Sequence, residues 1–278
     1  MPLIVTVLLI ILASLVGLCV LLLLLYLLVF IRPSTRRPPD ETLLVDYAHR
    51  GLHGGGVPEN SLAAFRLAVE VGYGIELDVQ LSRDGEVMVF HDYTLARMTG
   101  HDGKLSDHNA DELATLRLAD TAEHIPTLAE VLALVDGQVP LLVELKGESF
   151  NTALAPKVAA MLAAYRGRYC IESFNPLLLR KMRQLLPDAL AGLLYTNVIR
   201  EKKCYSALHI TIALMTFNFL CHPRFIAYNE VDRNAIPVKL ATRFYHAPRF
   251  VWTVRSREAF DIAHTLGEYA IFEKLDRD

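Results

Sequence analysis

Cysteine is scarce in this 278-residue chain, and the little there is does not fall into pairs. Of the four, Cys19 lies in a long apolar run, while Cys170, Cys204 and Cys221 are widely spaced. That spacing excludes a disulfide framework and a thiol-based zinc site, and it suits a reducing compartment. A basic excess is lacking too. Lys and Arg number 28 against 31 Asp and Glu, a net charge of −3, so the chain offers no cationic surface to a nucleic-acid partner. No Gly/Ser/Pro-rich linker interrupts the sequence after Pro39 and no internal repeat is visible, which favours one domain over two. Charge is absent altogether from Leu3 to Ile31, a run built mainly of Leu, Val and Ile.

An apolar helix of about 20 residues crosses the hydrocarbon core of a bilayer, so this run is long enough to span with some tilt. A cleaved signal peptide would need a basic start, a shorter apolar stretch and a small-residue cleavage site. Here no Lys or Arg precedes the run, and Arg32, Arg36 and Arg37 follow it. Residues 1–31 are therefore read as an uncleaved transmembrane anchor, and residues 32–42 as a stiff linker carrying Pro33, Pro38 and Pro39. Residues 43–278 are read as the folded domain. The positive-inside bias makes the chain a single-pass membrane protein with that domain on the cytoplasmic side. No expected strand precedes Leu43, so removing residues 1–38 is expected to release a folded soluble domain.

Through the domain, short apolar runs alternate with helix-period segments, the mark of a parallel sheet wrapped in helices. Strands are expected at 43–49, 74–79, 141–146, 169–174, 191–195, 225–228, 250–254 and 270–273. Asn60 or Ser61 caps a helix closed by Gly72. Thr127 and Glu130 form a capping box, Asn175-Pro176 opens a helix, and Ser256 caps another. The run 87–91 lies too close to Asp78 for a parallel crossover, which takes a dozen or more residues. Ser82-Arg83-Asp84-Gly85 is turn chemistry, so the run returns as a hairpin that brings His91 to the mouth. The fold class is α/β: a (β/α)8 TIM-type barrel with a small hairpin insertion after the second strand. Chemistry is expected at the C-terminal face.

Glu76 and Asp78 stand two apart on a strand and share a face; Glu144 and Lys146 repeat the arrangement. Unpaired charge inside a barrel is very costly. A hard cation such as Mg²⁺ or Ca²⁺ would resolve it, and so would a buried salt-bridge cluster with Lys146 as counter-ion. Spacing alone leaves these two readings level. His49-Arg50-Gly51 and His91-Asp92 end strands on the active face, where histidines suit proton transfer and Arg50 could grip a phosphate. His53, His101 and His108 are read as ordinary loop residues. Gly54-Gly55-Gly56 is only a weak phosphate-loop signal. The apolar segment Tyr205–Leu220 is read as a well-buried barrel helix in preference to a bilayer-docking surface.

The ordered set His49-Arg50-Gly51, Pro58-Glu59-Asn60-Ser61, Glu76-Leu77-Asp78-Val79, Asp84-Gly85, His91-Asp92, Ile125-Pro126-Thr127-Leu128, Glu144-Leu145-Lys146 and Ser173-Phe174 resembles the glycerophosphodiester phosphodiesterase family. It covers the chain from about Asp46 onward. The resemblance implies a (β/α) barrel that hydrolyses glycerophosphodiesters to glycerol 3-phosphate and an alcohol with one divalent cation, Mg²⁺ or Ca²⁺. It implies Glu76, Asp78 and Glu144 as metal ligands and His49 and His91 as general base and acid. Arg50 and Lys146 would steady the phosphate, and Glu59 would orient neighbouring groups. Either water or the substrate's own 2-hydroxyl could attack. Two departures stand out: Arg255 follows Trp252-Thr253-Val254 where the family commonly has Asn, and Phe272-Glu273 replaces a frequent Thr-Asp. Both bear on the alcohol portion of the substrate rather than on the reaction class. A lysophospholipase D would share the catalytic set and accept an acyl chain from a lysolipid. A non-catalytic barrel would be expected to lose one of these residues, and none is missing.

Overall fold

The computed structural model describes residues 3–34, 40–147 and 150–273. Arg36, Arg37, Pro38 and Pro39 of the expected linker lie outside these residues, as do residues 274–278. Nine strands form one sheet: β1 (Tyr47–Ala48), β2 (Gly74–Leu81), β3 (Val87–Val89), β4 (Leu141–Leu145), β5 (Tyr169–Ser173), β6 (Leu190–Tyr195), β7 (Phe225–Asn229), β8 (Arg249–Val254) and β9 (Tyr269–Phe272). Eight are parallel, and the ring closes where β1 pairs with both β2 and β9. β3 returns antiparallel on β2 with Val79 opposite Val89, the hairpin expected from the turn residues.

The helix starts follow the caps. Ser61 Oγ accepts from Ala64 N at 3.1 Å, which settles the choice between Asn60 and Ser61. Gly72 closes that helix at φ 87°. Thr127 and Glu130 form their capping box, Asn175 caps with Pro176 in the first turn, and Ser256 caps Arg257–Thr265.

The first strand is shorter than expected. Glu41–Leu43 is a 3₁₀ turn capped by Asp40, and Leu43 plugs the lower end of the barrel, where its carbonyl accepts from Tyr47 Oη at 2.9 Å. There Tyr47, Leu142, Cys170, Leu190, Phe225 and Phe250 pack with it into an apolar floor. A Cβ on Gly192 would lie 2.1 Å from the Phe225 ring, so the ring fills the space that a side chain would need. Ile75, Leu77, Val79, Val143 and Ile171 point outward into the layer between sheet and helices. The alternation thus stacks an apolar floor beneath a charged upper layer.

Two features depart from the sequence reading. Tyr205–Leu220 is not one buried helix: it breaks into Ala207–Ala213 and Asn218–Cys221 around a turn where Met215 takes φ 52°. Only Ala213, Met215, Asn218 and Cys221 reach the interior, and Tyr205, Leu208, Ile210, Leu214 and Phe219 are exposed. The second departure concerns the N-terminal helix, which is long and apolar enough to cross a membrane. Leu3–Leu25 continues without a break into the π turn Tyr26–Phe30, and that end is seated on the barrel. Tyr26 Oη donates to Leu214 O at 3.0 Å, Asn218 Nδ2 to Ile31 O at 2.7 Å, and Ser34 N to Pro223 O at 2.8 Å. Tyr245 Oη reaches Leu27 O, the Phe30 and Phe219 rings meet edge-on at 5.3 Å, and Ile31 is fully buried. A cut after residue 38 would expose this seat, so the released domain is expected to need detergent.

Candidate active site

The charged upper layer is built by register. β2 and β4 pair with Asp78 opposite Glu144, and β4 and β5 pair with Glu144 opposite Glu172. Inward side chains of adjacent parallel strands therefore converge. Carboxylate oxygens of Glu76, Asp78 and Glu144 all lie within 4.8 Å of one another, and all three residues are buried. Lys146 Nζ sits 3.0 Å from Glu144 Oε1 and 3.3 Å from Asp78 Oδ1. Arg50 Nε lies 3.5 Å from Asp78 Oδ2, and Asn60 Nδ2 donates to the same oxygen at 2.9 Å.

Glu172 was absent from the sequence-derived site, although its place in the alternation of β5 marked it as inward. It is buried, and among the described residues its Oε2 finds no hydrogen-bond partner. Burial, then the charges of Glu144 and Asp78, push its carboxyl well above the usual range. Burial raises Glu76 in the same way, and raises Glu144 to about 7. Asp78 is the exception: Lys146, His91 and Arg50 outweigh its burial and hold its carboxyl below the usual range. Four buried carboxyls face one lysine and one arginine, so the cluster is short of positive charge. Among the described residues Asp78 Oδ1 makes no hydrogen bond and has only the Lys146 ammonium at 3.3 Å beside it. An all-oxygen donor set with a charge deficit fits a hard divalent cation, and the salt-bridge reading alone leaves that deficit unmet.

The folded-state pKa of Glu172 stands above the unfolded value of about 4.3. The native state therefore holds an extra proton between the two, and stability falls as pH rises through that window. In excess chelator, Glu172→Gln is expected to match the parent near about pH 4. At about pH 8 it should exceed the parent, because the amide avoids burying the carboxylate charge that the parent must then carry. Denaturant titrations at both pH values check this.

The two histidines close the layer from either side. After β1 the chain turns through Arg50 at φ 55° and Gly51 at φ 78°. A Cβ on Gly51 would sit 2.9 Å from Ala64 Cβ, so this turn packs against the helix Leu62–Val71 only with glycine. The turn directs Arg50 N to Glu76 Oε2 at 2.8 Å and leaves His49 Nε2 3.9 Å from that oxygen. His49 Nδ1 is hydrogen-bonded to Glu273 Oε1 at 2.6 Å, and Arg255 Nε donates to Glu273 Oε2 at 2.9 Å. The two departures from the family pattern, Arg255 and Glu273, thus meet each other at His49. Burial alone would raise Glu273, but His49 and Arg255 hold it at about 2. His53, read from sequence as an ordinary loop residue, lies 4.0 Å from the same carboxylate. His101 is exposed, and the Gly54-Gly55-Gly56 turn does not line the cavity.

His91 is delivered by the hairpin return. Gln80, inward like Glu76 and Asp78, donates from Nε2 to Phe90 O at 2.7 Å and Asp92 O at 2.8 Å, which pins the return to β2. His91 Nδ1 meets Asp92 Oδ1 at 2.6 Å. Arg97 links this pair to Glu59: its Nε donates to Asp92 Oδ2 at 2.5 Å and its Nη2 to Glu59 Oε1 at 2.6 Å. Arg50 Nη1 donates to that Glu59 oxygen at 2.7 Å, so one ionic chain joins His91 to Arg50. Burial pushes both imidazoles below their usual value. His49, Arg50, Glu76, His91, Glu144 and Lys146 line one cavity of about 170 Å³, walled by Phe174 and Trp252, whose rings meet edge-on at 5.7 Å. A larger surface groove lined by Arg180, Arg183 and Phe219 contains none of these acids.

Known proteins resemble this chain in both sequence and fold. The glycerophosphodiester phosphodiesterase of Caldanaerobacter subterraneus is 38% identical over 168 residues, 56% of this chain and 67% of that protein. Glycerophosphodiester phosphodiesterase 1 of Homo sapiens is 32% identical over 157 residues, 52% of this chain and 47% of that protein. The chain thus spans about half to two thirds of the length of these relatives. Among solved structures, an Oleispira antarctica phosphodiesterase in complex with its product sn-glycerol-3-phosphate superposes with TM-score 0.67 at 23% identity, over 84% of this chain and 94% of that one. A glycerophosphodiester phosphodiesterase from Thermotoga maritima gives 0.63 at 27% identity, over 82% and 94%. A sequence model of the glycerophosphoryl diester phosphodiesterase family runs from residue 49 to 273, from the base of the His49 turn to the carboxylate that holds it. The acids, the hairpin and both histidines fall inside that match, and the chain belongs to the glycerophosphoryl diester phosphodiesterase family.

Proposed function

We propose that the chain hydrolyses glycerophosphodiesters to glycerol 3-phosphate and an alcohol. The observation that carries this reading is the pair His49 and His91 on one cavity, each with Nδ1 held by its own carboxylate. That bond favours the tautomer with the proton on Nδ1, which leaves Nε2 of each ring for the reacting groups. His49 takes the proton from the attacking oxygen, that of a water or of the substrate's own 2-hydroxyl, as it bonds to phosphorus; in the second case a water then opens the cyclic phosphate to glycerol 3-phosphate. His91, protonated, gives its proton to the departing alkoxide as the phosphorus–oxygen bond to the alcohol breaks. Arg50 and Lys146 offset the charge on the phosphoryl oxygens. Glu76, Asp78 and Glu144 would hold a divalent cation, Mg²⁺ or Ca²⁺, which when bound supplies further charge compensation at the phosphate.

Glu273 and Arg255 act through His49. Glu273→Ala is expected to lower kcat on the order of 10–100-fold with KM little changed, because the imidazole loses its orienting partner rather than the substrate losing a contact. Steady-state kinetics on glycerophosphocholine check this, and an unchanged kcat would remove Glu273 from the base's machinery. The reaction itself is tested by incubating the purified chain with a panel of glycerophosphodiesters and lysolipids plus Mg²⁺ or Ca²⁺ and identifying the products. Absence of glycerol 3-phosphate from every member would overturn the reading. The N-terminal helix is taken as a membrane anchor with the barrel on the cytoplasmic side, in keeping with the basic residues that follow it.

A further inference from the structure

The seat of the N-terminal helix sets the direction in which that helix leaves the barrel. Its contacts run in order along the wall. Tyr26 bonds at Leu214, next to Ala213, whose carbonyl accepts from Tyr195 Oη at 3.0 Å. Tyr195 is the last residue of β6, so Tyr26 lies beside the C-terminal end of the strands. Ile31 is held lower, by Asn218. Ser34 bonds to Pro223, and the adjoining Arg224 N donates at 2.7 Å to Ala191 O, at the start of β6. From Ser34 back to Tyr26 the chain therefore climbs from the N-terminal to the C-terminal end of the barrel. The helix Leu3–Leu25 continues that climb without a break and is nowhere buried. It projects beyond the face that carries the active site.

The same face exposes apolar side chains. Phe150 follows β4 and is 90% exposed; Tyr205 and Leu208 follow β6 at 76% and 59%; Ile236 follows β7 at 73%. Lys202 and Lys203 lie exposed at the end of the short helix Val198–Lys202, just before Tyr205, suited to lipid phosphates, whereas Arg200 of that helix is held by Asp232 at 2.7 Å. The turns leading into strands at the opposite end, such as 137–140, 165–168 and 186–189, expose no large apolar side chain; the helix ends there carry Val71, Leu185 and Phe244. Exposed apolar residues gathered round a cleft mark a surface that is covered in use. An apolar helix long enough to cross a bilayer, standing on the same face, indicates what covers it.

We propose that the active mouth faces the bilayer, with the rim of Phe150, Tyr205, Leu208 and Ile236 in the headgroup region. The enzyme would then draw its substrate from the membrane plane: a glycerophosphodiester bearing a single acyl chain, a lysolipid whose tail stays among the lipids while its phosphodiester enters the cavity. This rests on the phosphodiesterase reading and on the helix lying in the membrane.

The test uses the full chain in phosphatidylcholine vesicles with some phosphatidylserine, with Cys19 and Cys204 replaced by serine. A single environment-sensitive fluorophore is placed through Tyr205→Cys, Ile236→Cys or Val71→Cys. Lipids carrying a nitroxide should quench the label at 205 and 236 severalfold more than at 71. In parallel, Leu208→Asp with Ile236→Asp should lose at least tenfold in kcat/KM on lysophosphatidylcholine embedded in vesicles, while glycerophosphocholine in water is hydrolysed as before. Quenching at 71 with 205 and 236 in water, or equal kinetic losses on the two substrates, overturns the proposal. The failures are separable. A chain that does not float with vesicles removes the membrane reading and the proposal with it. A chain that floats, is quenched at the rim and hydrolyses neither substrate refutes the phosphodiesterase reading and leaves the orientation standing.

Discussion

Excess chelator is expected to abolish hydrolysis, and added Mg²⁺ or Ca²⁺ to restore it. Charge stabilisation by a bound cation is worth several kcal/mol in the transition state, so the loss should reach about 10³-fold or more. Glu144→Gln should reproduce most of that loss in the presence of metal, because it takes a charge from the donor set of Glu76, Asp78 and Glu144 while keeping its shape. The same change should not unfold the protein. Burial already pushes the Glu144 carboxyl up to about 7, so a neutral amide relieves a charge that the metal-free barrel accommodates poorly. Calorimetry in chelator should show Tm held or raised, and titration calorimetry should show weakened metal binding. Full activity of the parent chain in chelator would sink the metal assignment.

The second large effect is selective. If His91 protonates the leaving alkoxide, His91→Ala should lose about 10²–10⁴-fold in kcat on an alkyl glycerophosphodiester, where the departing group is a strong base. On an aryl ester, whose phenolate leaves without a proton, the loss should be close to nothing. His49→Ala should damage both substrates alike, because the attacking water or 2-hydroxyl must shed its proton in either case. Equal losses in His91→Ala would contradict the assignment. Asp92→Asn offers a finer version. Asp92 holds His91 Nδ1 and is itself held by Arg97, so its change should raise the rate ratio of aryl to alkyl substrate in the same direction by a smaller factor.

Much of this site was legible because strand geometry is local. Residues two apart on a strand share a face, so Glu76 with Asp78 and Glu144 with Lys146 could be placed inward before any fold was known. The short spacing between Asp78 and Val87 forced the hairpin, and the hairpin carried His91 to the mouth. Glu172 was equally available to that reasoning: it stands inward on β5 beside Glu144. Glu172 belongs to no motif of the family: it stands one residue before Ser173-Phe174, the motif of its strand.

The remainder depended on contacts between distant parts of the chain. No spacing rule links Glu273 to His49, or Arg255 to Glu273, yet their pairing turns two departures from the family pattern into one support for the His49 imidazole. The chain from His91 through Asp92, Arg97 and Glu59 to Arg50 likewise joins the segment after β3 to the one after β1. The segment Tyr205–Leu220 shows the limit most plainly. Its apolar content is that of a buried helix, but Met215 turns the chain and only some of its side chains reach the core. Composition determines how much apolar surface a segment has, not which neighbour covers it.

The N-terminal helix divides the same way. Its length, its apolar character and the absence of charge from Leu3 to Ile31 are properties of the sequence by itself, since membrane partitioning sums over residues. So are the eight-strand order and the inward acids, which follow from periodicity and turn chemistry. Only the tertiary structure decided where that helix stands. Tyr26, Ile31 and Ser34 bond in order to Leu214, Asn218 and Pro223, residues nearly two hundred positions away, and that order directs the helix past the active face. Direction is a relation between elements, set by which hydrogen-bonding groups must be satisfied against which wall, and it is absent from any single stretch of chain.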